Sequence, residues 1–203
     1  MKVKLSQGEL KKQRDALRQY ERYLPTLQLK KQQLQLEIVH QQAALRERKN
    51  SLSIKRNSAV TWAGLLIEAP GITQWLRPRA VITGRKNVAG IDLPAFDRVE
   101  FEPAEYDLFE FPLFVDRALF ALREMASLHE EIRVIEEGIS ILNQELRITT
   151  QRVNLFEKVK IPEAKEAIRL IKIYLGDQMT NAVGRSKIAK KKIEGTNYGD
   201  VAP

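Results

Sequence analysis

The sequence predicts a mainly α fold, a long antiparallel two-helix left-handed coiled coil of N- and C-terminal helices with a small β-hairpin insert between them. Three observations predict it. From Ala118 to Phe156 apolar residues recur every seven positions in two interleaved series. A matching but weaker pattern runs from Leu10 to Leu52, and a short β-branched stretch bounded by proline and glycine separates the two. A stripe that narrow cannot seal a globular core and needs a partner helix of the same period.

The C-terminal series are Ala118, Met125, Ile132, Ile139, Leu146 and Val153 and, three residues on, Ala121, Leu128, Ile135, Leu142, Thr149 and Phe156; only Thr149 is polar. The N-terminal series are Leu10, Leu17, Leu24, Lys31, Ile38, Leu45 and Leu52, with the weaker companion Gln13, Tyr20, Leu27, Leu34, Gln41 and Arg48. Both repeat every 3.5 residues, the period of a left-handed supercoil, and roughly fifty residues between them suffice to turn the chain back.

The first helix starts near Ser6, where Glu9 completes a capping box, although Gly8 weakens that start. Leu, Gln, Lys, Arg and Glu, all good helix formers, carry it to about Glu68, roughly 90 Å at the α-helical rise. Pro25 predicts a kink and not a break, because the heptad passes through it without a phase change. Pro70-Gly71 ends the helix.

Arg79 to Thr83, Val88 to Leu93 and Phe96 to Glu102 then read as strands of a hairpin or meander around a Gly/Asn turn at Gly84–Asn87. Phe96, Phe101, Tyr106, Phe109, Phe111 and Phe114 supply local packing. The second helix starts after Pro112. Beyond Pro162 the apolar residues Ile161, Ala164, Ile168, Ile171 and Leu175 lie one residue out of phase, so the supercoil loosens or rewinds there. The expected division is an N-terminal helix over 6–68, an insert over 69–113, a C-terminal helix over 114–192 and a flexible tail over 193–203, fraying near Gly195.

The 203 residues are 43% apolar and contain no cysteine, which excludes disulfides and thiolate metal sites and fits a reducing compartment. The first fifteen residues hold no apolar run, and the uncharged stretch from Asn57 to Ile67 is far short of the roughly 20 residues that span a bilayer. A soluble, cytoplasmic protein with no direct membrane insertion is expected. Net charge is +8 and unevenly placed: residues 1–58 hold 14 Lys/Arg against 5 Asp/Glu, residues 59–113 hold 5 against 8, residues 114–159 hold 6 against 8, and residues 160–203 hold 9 against 5. In an antiparallel hairpin both basic segments fall at one end.

Catalytic chemistry finds no foothold. His40 and His129 have no second ligand in helical phase, and the Glu-x-x-His arrangement of di-iron bundles fails at His129, which has Ala126 and Arg133 as neighbours. The pairs Glu130-Glu131 and Glu136-Glu137 lack an in-register acidic partner and read as a solvated face. Gly84 to Gly90 ends without Lys-Ser/Thr and is no phosphate-binding loop. No enzyme activity, cofactor or metal is expected. The basic end would suit a nucleic-acid contact but lacks the aromatic interleaving of single-strand binders. On charge alone a solvated helix pair is the better reading.

Three passages resemble the D subunit of the V-type and archaeal/bacterial A-type rotary ATPases. Asn87-Val88-Ala89-Gly90-Ile91-Asp92-Leu93-Pro94-Ala95-Phe96 is similar to that family's Asn-(Val/Ile)-x-Gly-Val-x-(Leu/Val)-Pro-x-Phe segment. Arg152-Val153-Asn154-Leu155-Phe156-Glu157, followed by Ile161-Pro162, resembles its Arg-Val-Asn-Ala-(Leu/Ile)-Glu…Ile-Pro, with Leu155 in place of the common alanine. Leu24 to Leu34, through Leu27, Leu29, Lys30 and Lys31, resembles its Leu-Leu-Lys-x-Lys…Leu stretch, in which Pro25 is unusual. Order and spacing hold from about residue 5 to 192.

The resemblance implies a non-catalytic central rotor shaft that threads the A3B3 catalytic hexamer of A and B subunits. It also implies that the shaft binds the small F subunit on its flank and seats its lower end in a socket subunit above the membrane ring. It implies a protein peripheral to the membrane through the complex, with no nucleic-acid partner. Lys11, Lys12, Arg14, Arg18, Arg169, Lys172, Lys187, Lys190 and Lys191 are the cations then expected inside the hexamer. The insert, Arg79 to Phe111, is expected at the other, acidic end, separable from both seams. A coiled-coil nucleic-acid or scaffold module is the alternative. The γ shaft of F-type ATPases also pairs terminal helices, but around a larger α/β domain than this insert can hold.

Overall fold

The computed structural model describes residues 4–106 and 111–197. Helix α1 spans Gln7–Val60, and two 3-10 segments, Ala63–Glu68 and Pro70–Leu76, lead into strands β1 (Pro78–Val88) and β2 (Ile91–Phe101). Helix α2 (Val115–Leu155) passes through a π turn, Phe156–Lys160, into helix α3 (Ile161–Asn197). Long terminal helices with a two-stranded antiparallel hairpin between them are the predicted fold. Residues 193–197 of the expected tail are helical, whereas 198–203, like Phe109 of the expected aromatic set, lie outside the described residues.

Ser6 caps α1 as the sequence predicts: its Oγ accepts the Glu9 N–H at 3.3 Å. The helix is continuous through Pro25. The chain divides into two compact units, one of residues 1–28 with 151–203 and one of residues 29–150.

In the 29–150 unit α1 and α2 run antiparallel. Lys55 pairs with Glu124 at 2.7 Å, whereas Arg48 and Lys49, seven and six residues earlier, pair with the later Glu131 at 2.8 Å and Glu136 at 2.7 Å. One member of each acidic pair therefore meets a cation of the facing helix and is not merely solvated. Such exposed pairs add little stability, but opposite charges flanking an apolar seam select register and orientation. Every α2 seam position from Ala118 to Thr149 is buried or half-buried. Leu34 and Leu142, both 0% exposed, meet at its centre.

The hairpin departs from expectation in two ways. Its turn is Ala89-Gly90, with φ of 51° and 78°, and Gly84 lies inside β1 opposite Ala95. Positive φ at both central residues is the two-residue turn that matches strand twist, and Asn87 makes it tolerable for Ala89 by accepting the Gly90 N–H through Oδ1 at 3.2 Å. The hairpin also packs directly on the seam. Leu93, 3% exposed, joins Leu34, Ile38 and Leu142 in one core cluster, with Val88, Ala89 and Ile91 against it. Lys86 reaches Glu37 of α1 at 3.2 Å. The insert thus lies along the helix pair, because alternate residues of its tip supply an apolar face that the exposed flank of the seam can cover.

A second cluster of this unit, Ala69, Ile72, Val115, Ala118 and Leu119, holds the 3-10 segments to the start of α2. Arg123 ties it together: its guanidinium donates to the Trp75 carbonyl at 3.1 and 3.2 Å and to the Glu102 carbonyl, and lies 5.2 Å from the Phe101 ring centre. Trp75, Tyr106 and Phe111 pack with ring centres 4.9 to 5.7 Å apart.

In the other unit Leu10, Val153, Ala164, Ala167 and Ile171 are buried, Tyr20 stacks on Phe156 at 5.3 Å, and Lys165 pairs with Glu21 at 3.5 Å. Again low numbers face high ones. The predicted phase shift has a structural cause. The Ile161 N–H bonds to the Phe156 carbonyl, five residues back, so the π turn takes up one extra residue. Beyond it Ile161, Ala164, Ile168, Ile171 and Leu175 are inward, while Glu163, Leu170, Tyr174 and Asp177 of the old phase are exposed. Of that old phase the small Ala167 stays buried.

Leu142→Ala removes side-chain volume where both helices and the hairpin meet and is expected to destabilise by about 2–5 kcal/mol in denaturant unfolding. Leu36→Ala, at a site 72% exposed, is expected to change it by under about 0.5 kcal/mol. Equal losses would contradict this placement of the core.

Candidate functional site

The nine expected cations all lie in the unit of residues 1–28 and 151–203, and Lys11, Lys12, Arg14, Arg18, Arg169, Lys172, Lys187, Lys190 and Lys191 are all exposed, beside exposed apolar residues such as Ile173 and Met179. Helical spacing sets their grouping. Lys11, Arg14 and Arg18 are three and four residues apart, hence on one face of α1, where with Asp15 they border an open crevice of about 600 Å³. Lys12 points to a different crevice of about 330 Å³, shared with Glu9, Tyr20, Lys160, Glu163 and Ala164. Lys187, Lys190 and Lys191 stand on α3, with Ile188 60% exposed among them.

Two of the nine are partly engaged within the chain. Arg169 grips Glu166 with two donors at 2.6 and 2.9 Å, which lowers the Glu166 carboxyl below its ordinary range. Lys190 lies 3.7 Å from Glu194. The unit holds 18 Lys/Arg against 9 Asp/Glu, a balance of +9, whereas residues 29–150 hold 16 against 17, a balance of −1. The whole positive excess of the chain belongs to the unit of its two ends. In the other unit the α1 cations Arg48, Lys49 and Lys55 meet glutamates of α2.

The motif residues fall at two places. Asn87 and Gly90 build the hairpin turn, and the Asn87 amide also donates to Asp92 Oδ1 at 2.6 Å. Pro94 faces Arg85, tolerated because both strands of a two-stranded sheet are edges, and Phe96 faces Thr83 just past a register irregularity. In the second motif Val153 is buried, Arg152, Asn154 and Glu157 are exposed, and Pro162 follows the π turn. A proline nitrogen cannot donate and its ring clashes with the carbonyl four residues back, so a turn that shifts those carbonyls suits it.

Sequence reasoning missed Arg123, Trp75 and the Lys86–Glu37 contact, because single residues that bridge distant segments leave no periodic trace. Glu37 is held below the ordinary carboxylate value of 4.5, first by the Gln41 amide, which donates to it at 2.8 Å, and then by Lys86. Tyr106 is pushed up because its hydroxyl donates to the Asp116 carboxylate. Among the described residues no group of three or more His, Cys, Asp or Glu could hold a metal ion. Nor is any helix there long and apolar enough to cross a membrane.

Among the described residues this arrangement offers exposed charged surfaces on a helix pair and no convergent cluster of His, Cys, Asp and Glu. The family model for the D subunit of ATP synthase matches residues 9–191. The chain belongs to this family. It is 42% identical over 192 residues to the V-type ATP synthase D subunit of Borreliella burgdorferi, covering 95% of each chain. It is 32% identical over 200 residues to the protein of the same name from Chlamydia pneumoniae, covering 96% of this chain and 94% of that one. The D subunit of Chlamydia trachomatis serovar L2 is 31% identical over 198 residues, covering 95% of this chain and 96% of that one. A member of this family is a component of a multi-subunit V/A-type ATPase, and its motif-bearing residues here form the hairpin turn and the junction at the π turn.

The latch between hairpin and α1 is expected to depend on pH. The Glu37 carboxyl is depressed in the fold, so its contribution is present above the ordinary carboxylate value and is lost as pH falls through the lower, folded one. Amide exchange of residues 84–95, corrected for its intrinsic pH dependence, should accelerate as pH is lowered through the acid range. In Glu37→Gln that pH step should vanish, and a step of unchanged size would assign it to another group.

Proposed function

We propose that this protein is the central-stalk rotor shaft of its V/A-type ATPase, coupling ATP hydrolysis or synthesis in the A3B3 head to rotation of the membrane ring and to ion transport. The observation that carries this reading is the concentration of all the chain's excess positive charge on the helix pair formed by its two ends. On this reading that pair sits within the hexamer of A and B subunits, the F subunit binds the flank, and a socket subunit above the membrane ring receives the other end. The shaft itself is non-catalytic, cytoplasmic and peripheral to the membrane through the complex. Helix α1, which ends at Val60 and not at Glu68 as expected, and the run of α2 and α3 act as the shaft helices, and residues 69–113 modulate contacts.

Physical chemistry favours this use of the pair. Two helices seamed together resist bending and twisting better than one, and remain slender. A helix pair has no threefold symmetry, so it can favour a different state in each of three surrounding sites. Exposed lysines and arginines on long stems attract acidic walls through a potential that varies gradually with angle, which suits a surface that must slide. Interlocking apolar knobs would hold one orientation.

Reversing Lys11, Arg14, Arg18, Lys187, Lys190 and Lys191 to glutamate is expected to weaken association with A3B3 at low salt by about tenfold or more, with the gap narrowing as salt rises. Helix content should be unchanged by circular dichroism. Native mass spectrometry of the unmodified chain with its A, B and F subunits should give one copy per three A and three B. Unchanged assembly of the reversed variant would remove the bearing role, and tight, steeply salt-dependent RNA binding in place of assembly would remove the shaft.

A further inference from the structure

We infer that the π turn and Pro25 together form a torsionally soft joint in the helix pair of residues 1–28 and 151–203, a level at which its twist can change while the apolar seam stays closed. The first ground is the hydrogen-bond ladder. Pro25 has no N–H for the Glu21 carbonyl, and Pro162 has none to offer the π turn, where bonding has already shifted from four residues back to five. The Thr26 hydroxyl donates to the Tyr23 carbonyl at 2.7 Å, a backbone contact of the kind that bends helices.

The second ground is that the two defects are neighbours. Tyr20 stacks on Phe156, the first residue of the π turn, and Pro25 is only about 7.5 Å further along α1 at the helical rise. Because the helices are antiparallel the π turn runs away from Pro25, so the two defects lie roughly 7.5 to 13.5 Å apart along the pair, about one and a half to two and a half turns. The third ground is packing. No residue of the π turn is buried, and only the half-buried Phe156 and Lys160 side chains lean inward. Elsewhere in this unit the seam is anchored by Val153 on one side and by Ala164, Ala167 and Ile171 on the other.

The fourth ground is the numbering of the seam. Up to Phe156 it repeats at 146, 149, 153 and 156, and after the turn it resumes at 161, 164, 168, 171 and 175. Removing one residue between them moves the second set to 160, 163, 167, 170 and 174, in step with the first. The extra residue is thus separable from the seam. An uninterrupted helix was open to this sequence by a single deletion, and the helix instead carries a turn that disturbs its regular bonding.

The test uses the full-length chain alone, so its outcome is independent of the shaft reading. Backbone amides of residues 155–163 and 22–29 are expected to exchange about tenfold or more faster than those of 132–146, as sites of local opening do. A variant that lacks Val159 and carries Pro162→Ala should form one regular helix. It should melt at or above the temperature of the parent, and exchange at 155–163 should slow to the rate of 132–146. Deletion of the exposed Gln144, which throws an unbroken seam out of phase, should melt far lower. Uniform exchange in the parent would overturn the joint. A Val159 deletion variant that melts as low as the Gln144 deletion would overturn it too.

Discussion

Everything in this molecule depends on one constraint: a stripe of apolar side chains about two residues wide has to be covered along the length of a long helix. No globular core is available to do it, so each segment of α1 is covered by a segment of α2 or α3 running the other way. Leu34 against Leu142 in one unit, and Leu10, Val153 and Ile171 in the other, are what that coverage consists of. Because apolar contact is not directional, it leaves direction and register to other interactions. The facing charges of Arg48, Lys49 and Lys55 with Glu131, Glu136 and Glu124 supply that choice in the 29–150 unit.

The same interhelical pairs organise the electrostatics. Where α1 faces the glutamate-rich part of α2, three of its cations are matched across the seam, and the unit is close to neutral. Where α1 faces α3, only Glu21 and Lys165 make an interhelical pair among the described ion pairs, and Arg169 and Lys190 find their carboxylates within α3. The excess charge is a consequence of where acidic residues are absent, and its location follows from antiparallel pairing alone. A surface made in this way is carried by exposed lysine and arginine side chains on long, flexible stems.

The helical part of the fold was legible because it is periodic. Twelve seam positions between Ala118 and Phe156 follow one rule, and all twelve are buried or half-buried. The phase shift after Pro162 was legible for the same reason, although its cause, a π turn, is a hydrogen-bonding choice that spacing cannot name. The hairpin was legible as β structure and misread in detail. Gly84 and Asn87 advertise a turn, but Asn87 acts three residues away by capping Gly90, and Ala89 accepts a left-handed conformation that alanine rarely adopts. Nor could an alternation as short as Val88, Ile91 and Leu93 disclose which helical residues it would cover. The nine cations were legible as exposed charge, whereas Arg169 gripping Glu166 needed the rotamers.

The hairpin shows how local chemistry and long-range packing constrain each other. Asn87 and Gly90 set the turn, the turn sets the register, and the register decides that Leu93 faces inward while its neighbours Asp92 and Pro94 do not point the same way. A slip of one residue would turn Leu93 to solvent and uncover Leu34 and Leu142. The turn chemistry is therefore a condition for closing the seam at this point, and the seam in turn is what holds a two-stranded sheet that would be marginal alone. Lys86 and Glu37 add a charged contact beside that apolar one, so the insert is fastened by two interactions with different sensitivities. Acid acts on the charged contact and leaves the apolar one in place. An insert attached in this way can loosen at its edge without leaving the helices, which a purely apolar attachment would not allow.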